Sequence, residues 1–109
     1  MFLCFLNSNI SKYFKTYNST NSTQVNISLD AASAYLLYVD AAGSNGSNGS
    51  APRLVVLRTG YSQSNYYARS IYVADANDEF SIKYNNGNYV ISLGTKQYVR
   101  VGVLQLIKP

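Results

Sequence analysis

The chain has 109 residues, 47% of them hydrophobic and only 13% charged, with nine Lys and Arg against five Asp and Glu. That length supports one modest core and no second domain. There is no His, no Trp and a single Cys, so imidazole-based triads, His metal sites and internal disulfides are excluded at the outset.

Residues 1–23, MFLCFLNSNISKYFKTYNSTNST, open with a short apolar run that Asn7 ends. The run is shorter than the roughly 7–15 residues of a secretory apolar region, no charge precedes it, and a membrane span needs about 20. No signal peptide and no membrane span are expected. Residues 1–23 are read as a polar N-terminal extension, loosely held or strand-swapped, and residues 24–109 as the folded domain. Cys4 is expected as a small buried hydrophobe, because a reactive thiolate needs electropositive neighbours. Lys12 and Lys15 carry two of the positive charges, which leaves the domain itself nearly neutral.

From Val25 onward apolar residues alternate with a period near two, and no helical stripe interrupts them. Val25, Ile27 and Leu29 mark a half-buried strand. Ala34 to Asp40 (AYLLYVD) and Leu54 to Leu57 (LVVL) are apolar on both faces, which predicts central strands covered from both sides or by a partner chain. Between them residues 43–50, GSNGSNGS, read as a mobile surface loop, and Pro52 restarts the chain. Tyr66 to Ala74 is the next strand. Phe80, Ile82 and Tyr84 then run into Asn85-Asn86-Gly87-Asn88, and Tyr89, Ile91 and Leu93 run out of it. Asn86-Gly87 suits a type I′ turn, which sets Tyr84 opposite Tyr89, Ile82 opposite Ile91 and Phe80 opposite Leu93. In the last strand, Gln97 to Ile107, the apolar set shifts from Val99, Val101 and Val103 to Leu104 and Leu106. Gly102 is therefore read as a β-bulge or bend where the strand crosses between sheets. The expected fold is all-β, an antiparallel β-sandwich or jelly-roll-like barrel of six to seven short strands.

The chemistry is sparse. Ser and Thr are abundant, but no imidazole activates them, and nothing in their spacing points to a Ser-Lys pair. Paired carboxylates for glycoside hydrolysis need a cleft that so small a sandwich has little room for. No enzymatic activity, no cofactor and no metal site are expected. Asp75-Ala76-Asn77-Asp78-Glu79 lacks the EF-hand spacing and reads as a solvated turn. Six Asn-X-Ser/Thr triplets, at Asn9, Asn18, Asn21, Asn26, Asn45 and Asn48, follow from composition and local repeats and are expected to be unused. Arg53, Arg58, Arg69 and Arg100 are scattered over separate segments, so no nucleic-acid footprint forms.

Tyr is in excess, with eleven copies, and joins a flat apolar face to a hydroxyl that suits sugar or protein surfaces. Tyr61, Gln63, Asn65, Tyr66 and Arg69 surround one polar turn, with Tyr67 beside them. Tyr98 and Arg100 are placed outward by parity with Val99 and Val101. These seven residues, apart from Tyr67, are the candidate ligand-binding set. The alternative reading of such tyrosines is the rim of a small core or a subunit contact.

The run AYLLYVDAAGSNGSNGSAPRLVVLRTG, the Tyr-rich strand, the NNGN hairpin and the closing YVRVGVLQLIKP resemble the small C-terminal β-sandwich heads of prophage tail-fibre and other phage structural proteins. The resemblance covers residues 24–109 and implies a homotrimer for assembly or for adhesion to host-surface glycans. It implies a virion or extracellular-surface setting and transfers no individual binding residue. The long fibrous stem of that family has no counterpart in the short extension seen here. Self-association has separate support in the two-faced apolar strands and MFLCFL, which offer more apolar surface than one small sandwich hides. The alternative is a monomeric carbohydrate-binding module of a cell-surface or secreted protein.

Overall fold

A computed structural model of the chain describes residues 14–19, 22–42, 50–74 and 79–108. The FLCFL run with Cys4, the glycine-rich loop over 43–49 and the acidic turn over 75–78 lie outside the described residues. So do the triplet asparagines Asn9, Asn21, Asn45 and Asn48.

Alternating β-branched and aromatic residues give strands throughout, and the described residues contain no helix. The strands are β1 (Phe14–Asn18), β2 (Val25–Ile27), β3 (Ala34–Ala41), β4 (Ser50–Thr59), β5 (Tyr66–Val73), β6 (Phe80–Asn85), β7 (Asn88–Leu93) and β8 (Val99–Ile107). All pair antiparallel, in a five-stranded sheet ordered β1-β8-β3-β4-β5 and a three-stranded sheet ordered β2-β7-β6. The two sheets form a β-sandwich. Its core joins the inward valines and leucines of β3, β4 and β8 to Val25, Ile27, Tyr89, Ile91 and Leu93 of the smaller sheet.

The β6–β7 hairpin has the register set by its turn, with Phe80, Ile82 and Tyr84 facing Leu93, Ile91 and Tyr89. Asn86 and Gly87 take φ of 49° and 92°, the two left-handed positions a type I′ turn requires. β3 and β4 are interior strands as expected, each hydrogen-bonded on both edges. Among the described residues only one of their faces is covered, however. Leu37, Val39, Val55 and Leu57 are buried, while Tyr38 and Val56 on the opposite face are exposed.

Two expectations require correction. Part of the supposed N-terminal extension is strand: Phe14–Asn18 pairs with β8, and the edge is fastened where Ser19 N–H donates to the Val99 carbonyl (2.9 Å) and Val99 N–H to Ser19 Oγ (2.7 Å). This makes eight strands among the described residues. Second, Gly102 is neither a bulge nor a crossing point. β8 stays in one sheet, in unbroken register from Val99 opposite Ala41 to Gln105 opposite Tyr35, and the irregularity falls beyond, where Ile107 faces Ala34. Gly102 lies beneath the Phe14 ring without requiring glycine, since a Cβ there would make ordinary van der Waals contact with that ring at 3.4 Å and with Tyr38 Cβ at 3.7 Å.

Candidate functional site

The strand registers build the outer face of the five-stranded sheet row by row. One row runs Phe14, Leu104, Leu36, Val56 and Arg69 across the five strands; the next runs Thr16, Gly102, Tyr38, Leu54 and Tyr72. Phe14 is 47% exposed, Tyr38 40% and Tyr72 56%, and Leu36, Leu54 and Leu104 are half-buried. Beyond these rows lie Asn18, Arg100 and Asp40 at one end and Ile107, Ala34, Arg58 and Tyr67 at the other. An apolar centre with polar groups around it is the anatomy of an interaction surface. Nothing in the described residues covers it.

The candidate ligand-binding residues do not come together. Tyr61 stands at the tip of the β4–β5 loop, 96% exposed. Gln63 lies beneath it and is engaged internally: its Nε2 donates to the Leu29 carbonyl at 2.5 Å, and its own carbonyl accepts from the Tyr89 hydroxyl. Asn65 closes the loop, with Gly60 N–H donating to its carbonyl at 2.7 Å. Tyr66 turns inward, packs edge-on against Tyr89 and donates its hydroxyl to the Ile82 carbonyl at 3.0 Å. Gln63 and Tyr66 thus tie the two sheets together. Arg58, Gly60, Asn65, Tyr66 and Tyr67 line only a shallow hollow of about 180 Å³. Arg69 faces outward opposite Val56. Tyr98 and Arg100 sit at the far end of the sheet, about 20 Å away at 3.3 Å per residue along β3. Tyr98 precedes β8 and holds φ at 56°, so strand parity does not govern it.

Around Arg100 the polar groups satisfy one another. Its Nε and Nη2 donate to Asp40 Oδ1 and Oδ2 at 2.8 and 2.6 Å, and the Tyr38 hydroxyl donates to Oδ2 at 2.8 Å. Burial pushes the Asp40 carboxyl up, but the Arg100 fork and the Tyr38 hydroxyl outweigh it and hold it below the usual carboxylate range. This is a clasp between β3 and β8.

A second feature was missed by sequence reasoning. β2 is only three residues long, and beside its end the inner face of β1, β8 and β3 opens as a cleft of about 280 Å³. Lys15, Tyr17, Ser28, Asp30, Tyr35, Val103, Gln105 and Lys108 line it. Its polar groups are already ordered: Asp30 N–H donates to the Tyr35 hydroxyl at 2.7 Å, and Gln105 Nε2 reaches Asp30 Oδ2 at 3.3 Å and the Tyr35 hydroxyl at 3.4 Å. The Tyr17 hydroxyl donates to the Ser28 carbonyl at 3.4 Å. Burial raises the Tyr35 hydroxyl above its ordinary range. Lys15 and Lys108 have no ion-pair partner among the described residues. One signal was legible in principle, since Gln105 continues the inward parity of Val99, Val101 and Val103. A polar residue on an apolar face marks where the core ends.

The chain matches no protein-family model, no curated protein and no solved structure.

Proposed function

We propose that the chain is a non-enzymatic structural or adhesion module of the phage tail-fibre-head kind, which self-associates through the outer face of its five-stranded sheet. The observation that carries the reading is the apolar centre and polar rim of that face. With strands about 4.8 Å apart and about seven residues of useful length, the face measures on the order of 500 Å². Packed face to face, two copies bury about 1,000 Å², the lower bound for a specific interface, and three copies meeting about a three-fold axis bury about 1,500 Å² in all. The trimer, the glycan ligand and the virion or extracellular-surface setting come from the resemblance of residues 24–109 to such heads.

Light scattering on a size-exclusion column tests this. A mass near three times 12.0 kDa is expected for the wild type, and a lower mass for Leu36→Lys combined with Val56→Lys. A monomer at every concentration overturns the self-association. A dimer abolished by the same substitutions keeps the interface and overturns the trimer. The alternative, a monomeric carbohydrate-binding module, draws on the cleft beside β2. A monomer whose Tm rises with added sugar supports that alternative, because a ligand that binds only the native state stabilises it.

A further inference from the structure

The cleft beside β2 combines two chemistries that the outer face and the Asp40 clasp lack. Its floor is fixed, since Val103 and Tyr35 are both buried, and its walls come from β1, the end of β8 and the connection from β2 to β3. Asp30 and Gln105 form a hydrogen-bonded carboxylate–amide pair over the Tyr35 hydroxyl. Both Gln105 N–H groups are spent on Asp30 and Tyr35, so the pair faces a ligand with acceptors, the Asp30 carboxylate and the Gln105 amide oxygen, which can take neighbouring hydroxyls of a sugar ring. The Tyr17 ring supplies a half-buried apolar wall against which the C–H face of a sugar can lie. At about 280 Å³ the cleft falls just below the usual range for small-molecule sites, about 300–1,000 Å³, and suits one sugar residue with a neighbour projecting outward.

The charge narrows the ligand further. Lys15 enters from β1 and Lys108 follows β8, both exposed and both unpaired among the described residues, while Asp30 is the one carboxylate in the lining. The lining carries net charge of +1 from these three groups. By contrast Arg100, a cation at the opposite end of the sheet, is neutralised by Asp40. Two unpaired ammonium groups beside a hydroxyl-reading pair form an anion-plus-polyol site.

We infer that the cleft formed by β1, β8, β3 and the end of β2 binds an acidic sugar residue, with Lys15 and Lys108 on its carboxylate and the Asp30–Gln105 pair on its hydroxyls. The inference rests on the glycan-binding part of the function proposed above and is independent of self-association.

Glucuronate and glucose differ only in the carboxylate, so they are the probes. Each is titrated into the ¹⁵N-labelled full chain at low salt, with sodium acetate as a third titrant. Glucuronate is expected to shift a localised set of amides including Lys15, Ser28, Asp30, Gln105 and Lys108, with affinity falling as salt is added. Glucose is expected to bind at least fivefold more weakly at the same residues. Lys15→Gln combined with Lys108→Gln is expected to weaken glucuronate about fivefold to tenfold, each exposed charge contact being modest. Both side chains are exposed, so an unchanged amide spectrum outside the cleft establishes that the variant folds. Equal binding of glucose and glucuronate overturns the acidic-sugar inference and leaves glycan binding standing. Acetate acting as strongly as glucuronate overturns the sugar part and reduces the cleft to an anion site. No localised shift with either sugar overturns both the inference and the glycan-binding reading at this cleft.

Discussion

Raising the pH tests how the two sheets are joined at Tyr89. This side chain is fully buried, lies edge-on to Tyr66 and Tyr84 at centroid distances of 5.4 and 5.3 Å, and donates its hydroxyl to the Gln63 carbonyl. Burial first, and then the neighbouring Tyr84, Tyr35 and Tyr66, push its pKa up to about 12. In the unfolded chain the value is about 10. A folded value above the unfolded one gives stability that is fully present below pH 10 and lost as pH rises toward 12, because only the unfolded chain releases the proton. Two pH units correspond to about 3 kcal/mol in total, of which roughly 1 kcal/mol is lost by pH 11. Tyr35, raised chiefly by burial, and Tyr38, raised chiefly by its hydrogen bond to Asp40, act with the same sign. The Tyr89 share is therefore a difference between proteins. Urea unfolding of the wild type and of Tyr89→Phe at pH 8, 10 and 11 measures it. At pH 8 the variant is expected to be about 1–3 kcal/mol less stable, since the Gln63 carbonyl loses its donor. Between pH 8 and 11 its stability is expected to fall by roughly 1 kcal/mol less than that of the wild type. Tyr61→Phe, altering a residue 96% exposed, should track the wild type throughout. Equal alkaline losses in the wild type and Tyr89→Phe would refute the assignment of the proton to this buried phenol.

Two glycines give effects of opposite sign. Gly87→Ala meets no atom within 4 Å but forces an L residue to φ of 92°, so a loss of about 1–2 kcal/mol is expected, seen as a lower urea midpoint at unchanged slope. Gly102→Ala places a methyl in ordinary contact with the Phe14 ring, at a position without positive φ. It should leave stability unchanged or raise it by up to about 1 kcal/mol, and a clear loss, with faster amide exchange in β1, would contradict the reading that no glycine is required there. Asp40→Asn breaks a bidentate pair and is expected to cost about 1–2 kcal/mol at neutral pH. The folded Asp40 carboxyl lies below its ordinary range, so its contribution is present above the usual carboxylate pKa and lost as pH falls through the folded value. Acid unfolding of Asp40→Asn should accordingly be shallower than that of the wild type, and identical acid profiles would exclude the clasp as a stabilising element.

What was legible in the sequence was local. The NNGN hairpin could be placed residue by residue because its turn demands positive φ at Asn86 and Gly87, and a one-residue slip would turn one strand's apolar set outward. β1 was not legible, because FKTYN is short and largely polar and becomes a strand by pairing with β8, distant in sequence. The sequence places Tyr66 and Gln63 at a surface turn, since a residue at a strand start has no visible facing until the opposite sheet is placed. Arg100 does face outward as parity requires, but Tyr98, held at positive φ before the strand begins, escapes that rule.

The misreading of Gly102 has a more general cause. If Leu104 and Leu106 belong to the core, the change of phase requires the strand to change sheets. Leu104 in fact keeps its outward place beside Leu36 and Phe14, and it is the outer face of the sheet that is apolar. An alternation pattern reports which residues avoid water and is silent on what covers them; a core and an interface between copies leave the same trace. The five-against-three pairing identifies which apolar set is the core. The smaller sheet covers the inner valines and leucines, and nothing in the described residues can also reach the outer rows. The same mismatch exposes a polar margin where β2 ends, at Lys15, Asp30 and Gln105. One sheet therefore presents an apolar outside suited to another protein surface and a polar inner margin suited to a small hydrophilic ligand. Because the two lie on opposite faces, Leu36→Lys with Val56→Lys should alter molar mass without altering glucuronate affinity, and Lys15→Gln with Lys108→Gln should do the reverse. Loss of both properties in either variant would show that the cleft is completed by a neighbouring copy and that the two surfaces act as one.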